Sequence, residues 1–441
     1  MSLVFAHGDF AWNAADAATT TYVVAPGFLA KAIVVWITGL SSATDTTSNT
    51  TDGRVSIGFA TNASDRRCQG FLDVDAAGTM DTQEIYRDDA VVATVDAAGA
   101  VDGRLDISAI DSTTITFIVD DPAPVNLRVF WAAWGGGDIT NAATGEITEP
   151  AATGNQSYTV TGSFQPTVGL FAGCQLTTAP PTAGVADAGL MFGAATGTGT
   201  GNQWVEAINS DEASANVDSD KYSRGDECMA MIVSGGGNPD ARAAFNGFDS
   251  VGFDLDWTAR AVTNRRYIYL VIAGGQWKAG SYNINVGTVG NTATVSGLAF
   301  RPDGGLSLGR SQTPEDAAGS SSTFNQMTIG CWSAVNSRRN QGYMDANSSP
   351  SADVGLTIDY DSILAVPSPA TGTLFVVDLD LVNSDGFRVI IDSTNIAGAT
   401  SFQSYLVFAS IPRIQPNEGH FPDLLSRFSG IVSSGARPGR I

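Results

Sequence analysis

Residues that commonly do chemistry are scarce or scattered in this sequence. It contains two histidines, His7 and His420, and both lie near the ends of the chain. A Ser-His-Asp or Cys-His site needs a histidine base beside its nucleophile, and a histidine-based zinc site needs several histidines. No GxxxxGKS or GxxxxGKT loop occurs, and the glycines between residues 197 and 201 have no helix after them. The sequence therefore predicts no catalytic residues, no cofactor and a protein that is not an enzyme.

The 45 acidic residues could supply two kinds of site. A glycoside hydrolase needs a pair of carboxylates at a defined separation, and no pair stands out here. Asp120, Asp256 and Asp392 recur every 136 residues and could bind Ca²⁺ together with residues 359–361 or 378–380. The DxDxDG calcium loop is absent, so we interpret these aspartates as solvent-facing strand positions or turn caps. We predict no metal site.

Aromatic, basic and sulfur-containing side chains raise further possibilities. Four tryptophans could form a sugar-stacking platform, but strand alternation places most of them in cores: Trp12, Trp204, Trp257 and Trp277. Three arginine pairs are interpreted as solvated loop charges or as ion pairs between repeats: Arg66-Arg67, Arg265-Arg266 and Arg338-Arg339. The four cysteines include no CxxC pair, which favours buried free thiols over disulfides or a zinc ribbon.

The last sixteen residues, 426–441, differ in charge from the rest of the chain. They carry Arg427, Arg437 and Arg440 without an acidic residue. A short basic arm of this kind could anchor the protein to an acidic neighbouring subunit. A frayed terminus is the alternative.

Composition limits the class of partner. The chain has 441 residues, 43% of them hydrophobic, and a formal net charge of -22. Free DNA and an anionic membrane would both repel such a protein, so we expect no free nucleic acid partner. No apolar run approaches the ~20 residues of a spanning helix, and no basic segment precedes the apolar residues 1–6. We therefore expect no membrane insertion and no signal peptide.

Two aromatic landmarks recur along the chain in one register. Phe28, Phe164 and Phe300 are spaced by 136 residues, and each lies just before an apolar stretch. Phe117, Phe253 and Phe387 are spaced by 136 and 134 residues. A fixed period of this kind indicates repeated structural units, and we predict that these six phenylalanines form the repeat core.

Two weaker landmarks support the same period. An apolar stretch runs into glycines at residues 127–137 and 267–275, and its third copy at residues 405–409 lacks the glycines. A short apolar segment that contains a glycine also recurs in the middle of each unit, at residues 57–59, 190–193 and 329–332. The drift in its spacing is typical of loop insertions.

The repeated units read as β-structure. Apolar stretches are short and alternate with polar residues, as in residues 114–119 and 282–286, and no sustained helical stripe occurs. Roughly eight short strands per repeat is typical of a two-sheet sandwich, with jelly-roll or immunoglobulin-like topology left open. We predict an all-β chain of three tandem sandwiches: an N-terminal arm at 1–19, repeats at 20–150, 151–290 and 291–411, and an irregular tail at 412–441, with joints at 141–155 and 285–291.

The second repeat carries a resemblance to a known group. Its opening Phe164-Gln165-Pro166 and its closing Gly252-Phe253-Asp254-Leu255-Asp256-Trp257, followed by Tyr269 and Gly274-Gly275, resemble motifs of repetitive β-sandwich structural proteins encoded by tailed bacteriophages, of the head decoration or tail accessory type. The resemblance implies a virion role without catalytic residues. It is clearest in the second repeat and fades in the first and third.

We therefore expect a non-enzymatic virion structural protein, made in the host cytoplasm and displayed on the particle surface as a capsid decoration, tail or fibre component. Its expected partners are capsid or tail subunits and further copies of itself. A glycan-binding adhesin that recognises a host surface is the alternative, and a polysaccharide-degrading enzyme is the third hypothesis.

Overall fold

The computed structural model describes residues 2–213, 218–232, 238–261, 264–310, 320–321, 324–346, 353–368 and 372–411. Every regular element in these ranges is a β-strand, so the all-β prediction is confirmed for them. In the same ranges, no helix is long and apolar enough to cross a membrane. Met1–Ser410 forms one compact unit.

The strands fall into three sets of eleven in chain order. The first set is β1 (Leu3–Trp12), β2 (Thr21–Val24), β3 (Ala30–Ile37), β4 (Thr46–Ser48), β5 (Gly53–Asn62), β6 (Asp65–Asp73), β7 (Thr82–Arg87), β8 (Val92–Val95), β9 (Val101–Ile110), β10 (Ile115–Asp121) and β11 (Leu127–Gly136). The second is β12 (Ile139–Thr148), β13 (Gly154–Thr159), β14 (Val168–Gly173), β15 (Thr182–Val185), β16 (Ala188–Ala195), β17 (Gln203–Ser210), β18 (Ser219–Arg224), β19 (Met229–Ile232), β20 (Pro239–Phe248), β21 (Gly252–Ala259) and β22 (Arg266–Gly274). The third is β23 (Gln276–Asn285), β24 (Thr292–Val295), β25 (Gly304–Gly309), β26 (Ser320–Ser321), β27 (Phe324–Ala334), β28 (Ser337–Ala346), β29 (Val354–Asp359), β30 (Leu364–Pro367), β31 (Thr373–Asn383), β32 (Gly386–Thr394) and β33 (Thr400–Ala409).

The three sets share one topology across six sheets. The first set forms a seven-stranded sheet, β1-β11-β3-β5-β6-β7, completed by β15, and a four-stranded sheet, β2-β10-β9-β8. The second and third sets repeat both orders strand for strand. In each set one strand leaves to complete the seven-stranded sheet of another set: β4, β15 and β26.

The seven-stranded sheets are buried on both faces. Along β3, Ala32, Val34 and Trp36 point into a core that includes residues from all three sets. Their neighbours Ile33 and Val35 point into a separate core beneath the first four-stranded sheet. Because a strand presents alternate residues to opposite faces, near-continuous apolar sequence follows from this position between two cores.

The four-stranded sheets, by contrast, have one buried face. In β10, Ile115, Phe117 and Val119 are fully buried, whereas the residues between them are partly exposed. This alternation is the pattern that the sequence showed at residues 114–119, and it is typical of a sheet with one face towards solvent.

The shared core contains an aromatic cluster from two of the sets. The ring of Trp134 lies 5.9 Å from Trp277 and 5.8 Å from Phe408, and those two rings are 5.4 Å apart. Phe5 of β1 lies 4.7 Å from Phe408. Ile139 and Ile272 of the second set belong to the same core. The cluster thus packs β1 and β11 of the first set against β33, the last described strand.

The chain passes between sets at tight turns, and these turns differ in position from the expected joints. It leaves β11 at Gly136 and enters β12 at Ile139, then leaves β22 at Gly274 and enters β23 at Gln276. The expected N-terminal arm contains β1, which pairs with β11 along its whole length. The expected joint at 141–155 contains most of β12. The polar alternation there belongs to a strand rather than to a linker.

The recurring glycine of each repeat is explained by a close backbone approach. A Cβ at Gly58 would meet the backbone carbonyl oxygen of Val91 far inside van der Waals contact. Gly193 meets the carbonyl of Cys228, and Gly330 that of Ile363, in the same way. The segment that leads into the four-stranded sheet crosses the seven-stranded sheet at this point, and only a residue without a side chain leaves room for it.

Gly58→Ala is therefore expected to lower the free energy of unfolding by about 2 kcal/mol or more, because overpacked backbone must shift. The matched control is Gly78→Ala, at an exposed position where an added Cβ meets nothing within 4 Å. The control should change stability by less than about 0.5 kcal/mol. Chemical denaturation of both variants measures the difference, and equal effects would contradict this explanation.

Candidate functional site

The six predicted repeat-core phenylalanines occupy two kinds of position. Phe117, Phe253 and Phe387 are at most 1% exposed and lie in the cores under the four-stranded sheets. Phe28, Phe164 and Phe300 are half-buried instead. Each of these three follows a residue with positive φ: Gly27 at 86°, Ser163 at 47° and Ala299 at 63°. In all three sets, the residue before the phenylalanine therefore has positive φ.

The predicted anchoring arginines Arg427, Arg437 and Arg440 lie outside the described residues, as does His420. The possible sugar platform is not assembled by the tryptophans, since all four are at most 9% exposed: Trp12, Trp204, Trp257 and Trp277. Asp120, Asp256 and Asp392 are exposed on the matching strands β10, β21 and β32. Their side chains lie on solvent-facing strand positions.

The exchanged strands form the most distinctive arrangement in the molecule. Strand β4 of the first set pairs with β29 of the third, Thr47 facing Thr357. Strand β15 of the second set pairs with β7 of the first, and β26 of the third pairs with β18 of the second. Each set gives one strand and receives one, so the exchange closes in a ring. We call the three boundaries in this ring the first-second, second-third and third-first seams.

The third-first seam is held by a shared aspartate. Asp9 of β1 forms ion pairs with Arg128 of its own set and Arg339 of the third set. The Asp9 side chain is 9% exposed. The guanidinium carbon of Arg339 also lies 5.9 Å from the centre of the Tyr360 ring. A partly buried carboxylate with two guanidinium partners fixes β1 against β28.

His7 lies at the same seam and is neutral in this environment. Its Nε2 is 3.2 Å from the Ser337 carbonyl oxygen and 3.3 Å from Ser333 Oγ. Burial, followed by the nearby Arg339 charge, lowers the pKa of His7 to about 4. A histidine without its own carboxylate partner in a buried strand interface serves as a packed hydrogen-bonding group here.

The first-second seam buries several carboxylates. Glu84 of β7 accepts hydrogen bonds from the backbone N–H groups of Gln175 (2.9 Å) and Gly189 (2.8 Å) in the second set. Burial nevertheless raises the pKa of Glu84 to about 8. Tyr86 donates its hydroxyl to Glu146 at 2.7 Å. These bonds join strands far apart in sequence.

The second-third seam combines two buried charged side chains, Glu206 and Arg310, with hydrogen bonds to the backbone. Trp204 donates its Nε1–H to the Tyr405 carbonyl oxygen at 2.7 Å, and Arg310 donates to the Ala207 carbonyl oxygen at 2.9 Å. Burial raises the pKa of the fully buried Glu206, and the Arg310 charge opposes this shift. Charged groups placed this way favour one register of the two sets.

Five of the six arginines in the sequence pairs form ion pairs, and Arg67 donates to the Tyr86 hydroxyl at 3.4 Å instead. Within sets, Arg66 pairs with Asp106 at 2.7 Å, and Arg338 pairs with Asp378 at 2.5 Å. The remaining contacts are Arg265 with Asp240, Arg266 with Glu146 and Arg339 with Asp9. The Arg339 pair joins two sets, whereas the others lie inside one set.

One group of carboxylates could hold a metal ion. Among the described residues, Asp45 beside β4 approaches Asp359 and Asp361 of the third set, with oxygens within 4.8 Å of one another. The backbone N–H groups of Tyr360 and Asp361 already donate to Asp45 (2.8 Å) and Asp359 (3.1 Å). Burial raises the pKa of Asp359 to about 6. These hydrogen bonds hold the segment beside the exchanged strand β4 against the third set, which explains why the carboxylates cluster here.

Two surface cavities occupy matching places in the second and third sets. One, of about 570 Å³, is lined by Gln165, Pro166, Thr167, Thr196, Phe248, Gly275 and Trp277. The other, of about 520 Å³, is lined by residues 301–303, 333–336 and 380–382. Its two carboxylates are engaged, since Asp303 accepts from the Ser410 N–H at 2.9 Å and Asp380 pairs with Arg388.

Comparisons with known proteins add no identification. No protein-family model matches the chain, and no curated protein matches it. Among solved structures, the crystal structure of Pseudomonas aeruginosa OccK11 (OpdR) matches 88% of this chain and 98% of its own, with 10% sequence identity and a TM-score of 0.09. A likeness at that score carries no argument about fold or function.

Asp9→Ala should lower the free energy of unfolding by about 2 to 3 kcal/mol, because it leaves two partly buried guanidinium groups without their counter-charge. Asp380→Ala is the matched control, since its Arg388 partner is 42% exposed, and it should cost less than about 1 kcal/mol. Denaturant titration measures both. If Asp9→Ala cost no more than the control, Asp9 would not hold the seam.

Proposed function

We propose that the chain is a non-enzymatic structural protein displayed on the surface of a tailed-phage particle, as a capsid decoration, tail or fibre component. It consists of three β-sandwich units whose boundaries follow the strand sets, at residues 3–136, 139–274 and 276–409. In each unit the four-stranded sheet packs on the seven-stranded sheet. The six sheets with three matching strand orders support this division.

The closed exchange of β4, β15 and β26 is the observation that carries the proposal. Each exchanged strand covers a sheet edge that would otherwise expose backbone donors and acceptors. One chain thus has the organisation that oligomers usually build from identical subunits around an axis. A fold whose sheet edges are covered in this way suits a structural protein that must stay folded on a particle surface. Such a protein does not need the flexibility that catalysis often requires.

The second element of the proposal is attachment through the segment after Ser410. The compact unit ends at that residue, and the following sequence contains the basic Arg427, Arg437 and Arg440. We propose that these arginines dock on acidic capsid or tail subunits, and that several copies of the chain occupy equivalent places on one particle.

Electron microscopy with antibody labelling of the corresponding phage particles tests this proposal. The protein should be found on intact particles. A chain truncated after Ile411 should fold normally and lose particle association, and replacing Arg427, Arg437 and Arg440 with Ala should weaken association roughly tenfold or more. Replacing the exposed Asp120, Asp256 and Asp392 with Asn is the control and should leave it unchanged. A protein that never copurifies with particles would contradict the proposal.

A second candidate, glycan recognition on a host surface, is favoured by the paired cavities. Both lie at the same structural position, and their linings offer Arg301 and Asp303 in one case and Phe248 in the other. Saturable binding on a polysaccharide array, lost in Phe248→Ala and kept in the exposed Val23→Ala, is the expected result. A blank array would remove this candidate and leave the structural role untouched.

A further inference from the structure

Three matching strand ends meet where the sets converge. Asp73 ends β6, Ser210 ends β17, and Asp345 is the penultimate residue of β28. They are equivalent in register, because their partners on the following strand are Thr82, Ser219 and Val354. All three side chains are fully buried. We call this place the junction.

Hydrogen bonds link the junction across all three sets. Ser210 Oγ of the second set lies 3.1 Å from Asp345 Oδ2 of the third. Tyr343 of the third set donates its hydroxyl to Asp73 Oδ2 of the first at 2.5 Å. Asn325 donates to Ser210 Oγ at 2.7 Å. The other oxygen of Asp73, Oδ1, is buried without a hydrogen-bond partner in the described structure.

The charges around the junction are of one sign. The nearby charges of Asp52, Asp75 and Asp81 raise the pKa of Asp73. Among side chains, Asp73 itself raises the pKa of Asp345 most. Asp353 precedes β29, and Asp211 follows Ser210. Two buried carboxylates in such a field are costly when both are charged.

Basic groups on neighbouring strands have carboxylate or aromatic partners of their own. Arg54 lies 3.0 Å from Asp102 and 3.7 Å from Asp52. Lys221 of β18 lies with its Nζ 5.1 Å from the ring of Phe324. The nearby segments 214–217 and 347–352, which lie outside the described residues, contain no ionisable side chain in their sequence. The side-chain charges that act most strongly on Asp73 and Asp345 are those of carboxylates, and a bound proton would reduce the repulsion among them.

We propose that Asp73 and Asp345 keep one proton between them at neutral pH, and that this proton holds the third set closed against the first. When it is lost to solvent base, two buried carboxylates that interact through their charges remain at the junction and repel each other. The third-first seam then opens more often. The junction acts as a pH-sensitive lock on the ring of exchanged strands.

The direction of the pH dependence follows from the same groups. Burial raises the pKa of Asp73 to about 7, against the opposing hydrogen bond from Tyr343, and burial together with the Asp73 charge raises the pKa of Asp345. A carboxyl group whose pKa is higher in the folded state binds its proton more tightly there. Its contribution to stability is complete below the unfolded pKa of about 4 and is lost as pH rises through about 7.

Hydrogen exchange of the full chain between pH 5.5 and 8.5, corrected for intrinsic exchange rates, tests the lock. Opening of residues 65–73 and 337–346 should increase by up to about tenfold per pH unit below the transition near pH 7 and should level off above it, relative to residues 101–121. Asp73→Asn and Asp345→Asn should reduce this dependence, most clearly at residues 337–346, because an amide has no proton to lose. Any dependence that remains at residues 65–73 is expected from Glu84 on the neighbouring strand β7. Asp256→Asn, at an exposed position on β21, should keep it.

Tyr343→Phe provides a second variant if an asparagine variant does not fold. It removes the hydrogen bond that favours charged Asp73, so the transition should move to higher pH. Retention of the wild-type pH dependence in both asparagine variants would overturn the proposal. So would an unmoved transition in Tyr343→Phe. A wild-type seam that opens on addition of EDTA would also overturn it, since a cation would then supply the missing charge.

Discussion

The unpaired edge of a β-sheet is the constraint on which this structure depends. Strands β7, β18 and β29 would each end a sheet with open backbone donors and acceptors, and each is paired with a strand from another set. An exposed edge of this kind invites pairing with other chains. Because the three sets exchange strands in a closed ring, no set completes its large sheet alone. Residues of all three sets also line one shared core.

Because the seven-stranded sheets are buried on both faces, polar groups at the seams lie away from water. Asp9, Glu206 and Asp345 each meet a partner from another set or lie beside one. Such groups add little net stability compared with apolar residues of similar size. They do penalise any other register, because a shifted strand would leave a buried charge without its partner. Apolar packing thus stabilises the association of the three sets, and the buried polar groups select the register in which they associate.

Features that repeat along the chain could be predicted from the sequence. Contacts between repeats could not be predicted from it. Phe117, Phe253 and Phe387 were recognisable because strand alternation and a fixed period both mark them. The half-burial of Phe28 was not, since a turn with positive φ at Gly27 sets its direction. The exchanged strands β4 and β26 are short and polar, so no apolar alternation marks them in the sequence. Asp9 and Arg339 are 330 residues apart, and only the closed fold brings them together.

Differential scanning calorimetry of the intact chain tests most directly whether the three sets form one closed body. Since each set depends on strands and core residues of the others, the account predicts a single cooperative transition with equal calorimetric and van't Hoff enthalpies. Two or three separate transitions, each matching the enthalpy of one set, would contradict it, because sets that melt independently cannot depend on exchanged strands for their stability.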